Sequence, residues 1–505
     1  MHRNLVLLAL VTLVTAWFGD TFFHPDEHFQ IVEFLGVKLG RTAPADLPWE
    51  YRARIRPWMQ PFLYWLIARP LTLAGVADPF DLVRALRIAT GAASIAALWL
   101  FATTALRGFA TVAERRSYAR ALIFYGFLPY LFVRTSSETL SAACFTAGFA
   151  LVFTGAAAAT PRRLLAAGLA IGVAVECRFQ VALLAFGLWS WLALVARIGW
   201  RRLGWLTAGA LVPVALALPI DRWGYGVWSF PPWAYFRENL LNGTAARVYG
   251  SDPVYGYLYL LLPNIFLPLA LLLVVAAIVA WIRHPRHVVT WTTLPFVVLQ
   301  SLVAHKEERF LFPLAIIATT FPILAFAPSP RRALPVLDAI WRWRRSLVAK
   351  AVGALALAAM ALLAVYPLGW RPDVPMARYI FRTYPGGFAA WTYDATPFAS
   401  YPIYRPRRYT VARLAGPGAL DALLDRGPVL LLAESPILPP GALPANTRVR
   451  LLFSELPFAG RPAVVRVAMR YKTAYDAARD RHALPHFAWL TLFRIERARR
   501  AAPAT

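Results

Sequence analysis

The sequence predicts an α-helical polytopic membrane protein with a small α/β domain at its C-terminal end. Three observations carry that reading. The 505 residues are 59% hydrophobic and their mean hydropathy is +0.51, too apolar for a soluble chain of this length. Apolar runs of about 20 residues recur, the length a helix needs to cross a bilayer. The formal net charge of +27 is concentrated in the stretches between those runs.

Taken in order, the first run, Leu5–Phe18, has the look of a signal peptide but lacks a clear small-residue cleavage site. It reads as a retained first helix. Further membrane helices are expected near 82–106, 118–133, 138–159, 164–176, 179–196, 203–220, 257–282, 288–304, 309–327 and 347–369. With the first, near 4–22, that makes about eleven. No inverted repeat of the transporter kind stands out.

Orientation follows from loop charge. With the N-terminus inside, the inner loops hold arginines from Arg3 and Arg107 to Arg331, Arg332, Arg342, Arg344 and Arg345, against the acids Glu114 and Asp338. The remaining segments are long and mixed in charge, so the positive-inside bias puts them outside. This placement also argues against nucleic acid as the partner of the basic surplus, since the arginines punctuate apolar runs. Two cysteines, Cys144 and Cys177, give no disulfide framework and no metal cluster.

The expected division is a transmembrane part over 1–369, with its first outer loop at 20–80, and an outer domain over 370–505. In the loop, "PFLYWLIARPLTLAGV" fits an amphipathic helix lying on the interface. In the tail, "PVLLLAE", "RVRLLFS", "AVVRVAM" and "FAWLTLFRI" are runs of strand type. "ALDALLDRG" reads as a helix ended by glycine.

Ionisable residues gather at the expected outer helix ends: Asp26 and Glu27, Arg134 and Glu138, Glu176 and Arg178, Asp221 and Arg222, and His305 through Arg309. Such groups are costly near lipid and mark a site or pathway. The most concentrated stretch is "HPDEH", His24–His28. It matches the letters of an inverted zinc-protease motif. Pro25, however, belongs at a first helical position, which leaves His24 as the cap and the two imidazoles without convergence. A helix start fits the same letters, with acids in the first turn facing the positive dipole end. A proton relay would need acids nearer the midplane. A carboxylate here also suits a general base acting on a sugar hydroxyl. Late in the chain "HKEERFLFP" (305–313) brings Lys306 and Arg309, cations suited to a phosphate, or else forms a solvated loop.

The two stretches together resemble the membrane mannosyltransferases of glycosyltransferase family 22, in particular the GPI branch. An HPDE-type motif follows the first helix and an HKE-R-F-type motif comes late; here they stand at His24–Gln30 and His305–Phe312. "PWEYRARIRPWMQP" is similar to a further element through Trp49, Glu50, Ile55, Arg56 and Pro61, with Pro57 in place of a serine. "VRTSSETLS" matches an Arg-Thr-x-Ser-Asn segment except that Glu138 replaces the asparagine. "CRFQ" keeps only the arginine, Arg178, of another element, and "YGSDPVYGYLYLLLP" resembles a Tyr-Gly segment before a helix.

The resemblance implies a GT-C fold, a polyprenyl-phosphate-mannose donor, a lipid-linked glycan or glycolipid acceptor, and inversion at the anomeric carbon. It implies Asp26 as base, with Glu27 beside it and not separable from it by sequence. Lys306, Arg309 and Arg56 would hold the donor phosphate. His24, His28, Gln30, Glu50, Arg134, Glu138, Arg178 and His305 would bind substrate. No metal or other cofactor is implied. The active face would be periplasmic in a bacterial inner membrane, or lumenal in the endoplasmic reticulum of a eukaryote. A lipid or glycan transporter using the same cleft and a lipid-phosphate-sugar hydrolase are the competing readings.

Overall fold

The computed structural model describes residues 2–122, 125–153, 159–264, 267–326, 346–365, 373–393, 401–438, 441–482 and 488–498. The inner-loop residues Arg331, Arg332, Asp338, Arg342, Arg344 and Arg345 lie outside the described residues, as do 154–158, 327 and 366–369 of the expected helices 138–159, 309–327 and 347–369. The chain forms two compact units, Met1–Leu368 and Gly369–Thr505.

The first unit is helical. Pro79–Ala105 and Trp200–Tyr225 are each long and apolar enough to cross a membrane; His2–Phe18, Ser137–Phe153, Val181–Leu194, Leu267–Arg283 and Val288–Leu302 are shorter apolar helices. Pro161–Cys177 and Leu347–Val365 add two more. Helix Pro161–Cys177 packs closely on Trp200–Tyr225 because glycines line the seam. A Cβ at Gly168 would fall 2.1 Å from Leu206 O, and one at Gly172 would fall 2.3 Å from Ala210 O. Small residues allow such approach where lipid gives no hydrophobic drive between helices. Leu7, Leu10, Leu13 and Trp17 of the first helix stay exposed, as do Leu211 and Leu216, and Leu271 and Ile278. Exposed apolar belts on several helices are a lipid-facing surface, and the protein is an integral membrane protein.

Two expected spans are not single helices. The 118–133 span is divided between a basic helix, Val112–Ala121, and a short helix, Phe127–Phe132. Arg115, Arg116 and Arg120 make the first too polar for hydrocarbon. Over 309–327 a 3-10 turn, Glu308–Leu314, leads into Ala315–Ala318 and Phe321–Phe326. Pro313 and Pro322 remove the backbone donors that a continuous helix needs. The first expected outer loop is mostly helical: Pro25–Glu27, a π turn His28–Val32, Glu33–Lys38, Trp49–Ala53 and Met59–Leu73.

The second unit is a five-stranded mixed sheet: β1 Phe388–Thr392, β2 Tyr409–Arg413, β3 Val429–Ala433, β4 Thr447–Ser454 and β5 Thr491–Arg497, in the order β2-β1-β3-β5-β4. β1 runs parallel to β2 and β3; β5 runs antiparallel to β3 and β4. Helix Pro417–Leu424 places Leu420 and Leu424 against Leu431, Phe493 and Ile495. The "AVVRVAM" run, expected as a strand, lies in helix Pro462–His482. Pro462 opens it at a first-turn position, and alanine and arginine prolong it despite the valines.

Candidate functional site

Polar residues of the helical unit meet in a single network, with Glu138, Arg178 and Arg309 buried and His24, Asp26, Arg56, His305 and Glu307 half-buried. His24 caps the turn Pro25–Glu27, its Nδ1 accepting from Asp26 N at 3.2 Å. The cap fixes the next two acids in opposite roles. Glu27 is buried and fully engaged: it accepts from Phe23 N at 2.9 Å, from Thr135 N at 2.8 Å and from Thr135 Oγ1 at 3.1 Å. Asp26 instead turns toward cations. Arg309 donates from Nη2 to Asp26 Oδ2 at 2.6 Å, and Arg56 Nη2 stands 3.7 Å from the same oxygen.

Arg309 is the hub. Its Nη1 donates to Glu138 Oε1 at 3.2 Å and its Nε donates to Glu307. Arg178 Nη2 reaches Glu138 Oε1 at 3.2 Å. Glu307 is also 3.3 Å from His24 Nε2 and 3.0 Å from His305 Nε2. Arg56 stands 3.7 Å from Glu50, which accepts from Gln30 at 3.1 Å. Three anionic groups around one guanidinium compensate a charge that could not stand alone at this depth.

The electrostatics follow. Burial would raise the Asp26 carboxyl, but Arg309 and Arg56 outweigh it and hold the group at about 2. Burial likewise opposes ionisation of Glu307, which Arg309 and His305 overcome, so it lies well below the usual carboxylate range. The hydrogen bond to Glu307 raises His305. His24 is lowered, first by burial and then by Arg309. Burial raises Glu50.

Other residues expected at the site are placed elsewhere. His28, the first residue of the π turn, is buried with Nε2 2.7 Å from Glu33 Oε1. Lys306 donates from Nζ to Asp252 O at 3.1 Å and Val303 O at 2.6 Å, so its ammonium is held by backbone and not by the Asp26 network. Arg134 donates to Thr21 O at 2.6 Å and stacks over Tyr130. It borders a small recess with His24 and Arg309, and it fastens the loop.

Three participants receive no role from sequence reasoning. Glu307 falls within the "HKEER" cluster at an expected outer helix end, but its letters do not set it apart from its neighbours. Gln180 sits where an expected element is lost, yet it accepts from Arg178 Nε and donates to Tyr235 Oη at 3.1 Å. Tyr235 lies on a connecting segment with no motif.

Two spaces flank the network. A narrow cleft of mixed lining places Gln30, Arg56, Ser137, Arg178, Gln180 and Tyr235 beside Ile31, Ile55, Pro57, Cys177 and Phe179. An apolar cavity of about 300 Å³ is lined by residues including Phe23, Tyr257, Trp281, Glu308, Phe312 and Phe321. The Tyr257 hydroxyl, on a residue lining it, is buried and without a hydrogen-bond partner among the described residues. No group of three or more His, Cys, Asp or Glu side chains arranged to hold a metal ion occurs among the described residues.

Glu27→Gln tests the separation of the two acids. The amide keeps one oxygen and must set its NH2 against the other backbone donor, Phe23 N or Thr135 N, at about 1–3 kcal/mol. The expected result is a lower Tm with a turnover number close to wild type, read by thermal unfolding and initial rates.

A charge network lies between a narrow cleft and an apolar cavity in a lipid-facing helical unit, and that unit has the helical membrane architecture of the GT-C fold. The crystal structure of ArnT from Cupriavidus metallidurans bound to undecaprenyl phosphate shares that fold, with a TM-score of 0.52 and 14% identity over 85% of this chain and 92% of that one. A family described as the Alg9-like mannosyltransferase family matches residues 4–367, and the chain belongs to that family. GPI mannosyltransferase 3 from Aspergillus fumigatus is 26% identical over 68% of this chain and 50% of its own length. GPI mannosyltransferase 3 from Yarrowia lipolytica is 28% identical over 66% of this chain and 63% of its own length. Mannosyltransferase APTG1 from Arabidopsis thaliana is 23% identical over 64% of this chain and 59% of its own length. The chain thus spans half to three-fifths of the first two curated relatives it matches, those from Arabidopsis and Aspergillus.

Proposed function

We propose that the protein is an inverting mannosyltransferase that moves mannose from a polyprenyl-phosphate donor to a lipid-linked glycan or glycolipid, on the outer or lumenal face. The observation that carries this reading is Asp26: a carboxylate left for chemistry between two cations, while its neighbour Glu27 is spent on backbone donors. The polyprenyl chain occupies the apolar cavity, with its phosphate toward the charge network. The acceptor hydroxyl approaches the anomeric carbon from the face opposite the phosphate. Its oxygen forms the new glycosidic bond, Asp26 takes its proton, and the carbon–phosphate oxygen bond breaks with both electrons going to the departing phosphate.

Arg56 and Arg309 supply the field for that departure. The diester carries one negative charge and the leaving monoester gains a second, so fixed cations in a site with little water favour the transition state over the ground state. Arg56 is the more available cation, since its Nε has no partner among the described residues and it lines the narrow cleft. Lys306 takes no part in this scheme. Lys306→Met is therefore expected to change donor KM by less than about threefold and Arg56→Met by more than about tenfold, a factor worth roughly 1.4 kcal/mol. Steady-state kinetics with donor and acceptor varied separately would decide between them.

The test of the function itself is transfer in detergent with synthetic polyprenyl-phosphate-mannose and a glycolipid acceptor. A new glycoside supports the reading. Free mannose would identify a hydrolase. Lipid movement between leaflets without any product would identify a transporter.

A further inference from the structure

The segment after helix Trp200–Tyr225 lies outside the membrane helices and adds no charged group to the network, although its Tyr235 touches it. It holds three short pieces, Pro231–Phe236, a π turn Arg237–Leu241, and Thr244–Tyr249. These pack chiefly on one another. Glycines at positive φ bracket it, Gly226 at 76° and Gly250 at 88°, with open space where a Cβ would stand. These are conformations that glycine adopts at little cost.

Its two faces differ. One presents large apolar groups to the outside: Trp228 is 69% exposed, Trp233 54%, Leu240 56% and Leu241 62%. A wholly aqueous loop would not keep so many there. The face is continuous along the chain with exposed Leu216 and Leu218 before it and with Leu258 and Tyr259 after it. The other face touches the site. Tyr235 Oη accepts from Gln180, its ring lies 5.8 Å from the Arg56 guanidinium carbon, and it meets Phe179 edge-on at 5.7 Å. At the far end Tyr249 lies 5.5 Å from the His305 ring.

The cleft behind Tyr235 has only about 20 Å³ of room, which is the scale of a single water. A sugar ring enters only if a wall shifts. The other walls come from helix ends and from the turn around Arg56, within the packed unit, whereas Tyr235 comes from the glycine-bracketed segment.

Building on the mannosyltransferase reading, we infer that residues 227–249 rest with their aromatic face in the lipid interface and that Tyr235, from the opposite face, closes the narrow cleft as a positioning residue. Tryptophan and tyrosine favour that interfacial depth. Tyr235 acts through Gln180 and Arg178, which lead to Glu138, Arg309 and Asp26. The ligand it confines is the glycan part of a lipid-borne substrate, presented at the depth where the segment lies.

Two measurements on the full chain in lipid nanodiscs test this. With Cys144 and Cys177 replaced by alanine, spin labels are placed singly through Trp233→Cys, Phe236→Cys and Leu240→Cys. Collisions with oxygen should exceed those with a water-soluble nickel chelate. The reverse at all three positions overturns the lipid contact, whatever the chain's activity. In the second, Tyr235→Ala should raise acceptor KM by about tenfold or more, with kcat changed far less, and Tyr235→Phe should recover part of the loss by restoring the ring without the hydroxyl. An unchanged acceptor KM in Tyr235→Ala overturns the positioning role. Absence of transfer by the wild type would sink the mannosyltransferase reading, and with it the role of Tyr235, but leave the spin-label result standing.

Discussion

Asp26→Asn is expected to lower transfer by about a hundredfold to ten-thousandfold, the usual loss when a general base is removed. The amide keeps the shape of the side chain and removes the oxygen that takes the proton. The network should survive, because Arg309 keeps Glu138 and Glu307 and Arg56 keeps Glu50. Single-turnover transfer beside a thermal melt reads the two effects apart. A near-wild-type rate with an intact melt would remove Asp26 from the chemistry. The pH dependence of stability gives an independent check. The Asp26 carboxyl is depressed in the folded protein, from 3.8 to about 2. Its contribution is therefore full above the unfolded value, near pH 4, and is lost as pH falls toward 2. Asp26→Asn lacks that term, so the stability gap between the two proteins should narrow over that window.

The helical membrane class was legible because lipid imposes a length and a charge pattern on every spanning segment. Breaks in the spans near 118–133 and 309–327 were harder to read. Apolar content alone does not distinguish a straight helix from one interrupted at Pro313 and Pro322. In the second unit β3 and β4 lie on runs of strand type, while "VVRV" is helical because its flanks and opening proline outweigh β-branched preference. At the site, Pro25 announced the helix start and hence the place of His24 as cap. The difference between Asp26 and Glu27 was not legible, since it depends on Thr135, more than 100 residues away in the chain. The same holds for Lys306 and Arg309. Their letters are equally suited to a phosphate, and only the fold turns one toward backbone carbonyls and the other toward three carboxylates.

Arg309→Lys should reduce transfer by about a hundredfold or more, on the scale of losing a preorganised charge from an active site, although the formal charge is kept. Arg309 divides its three nitrogens among Asp26, Glu138 and Glu307. A lysine ammonium is a point charge without the planar fork and cannot hold all three in their present positions. Arg309→Ala should also cost about 3–5 kcal/mol of stability, as buried acids lose their shared partner. Asp26 would lose the stronger of its two cations, so its carboxyl should rise and the acid limb of kcat/KM should move to higher pH. This arrangement has a consequence for the reaction order. Every nitrogen of Arg309 already faces a carboxylate, so a donor phosphate landing there must displace one of them. Displacing Asp26 frees its oxygen for the acceptor hydroxyl and raises its basicity at the moment the donor is in place. On the proposed reaction, donor binding is expected to precede productive acceptor binding in the wild type, and Arg309→Lys should blur that order in steady-state patterns. Wild-type turnover and an unchanged binding order in Arg309→Lys, with an unmoved acid limb in Arg309→Ala, would together reduce Arg309 to a structural ion pair.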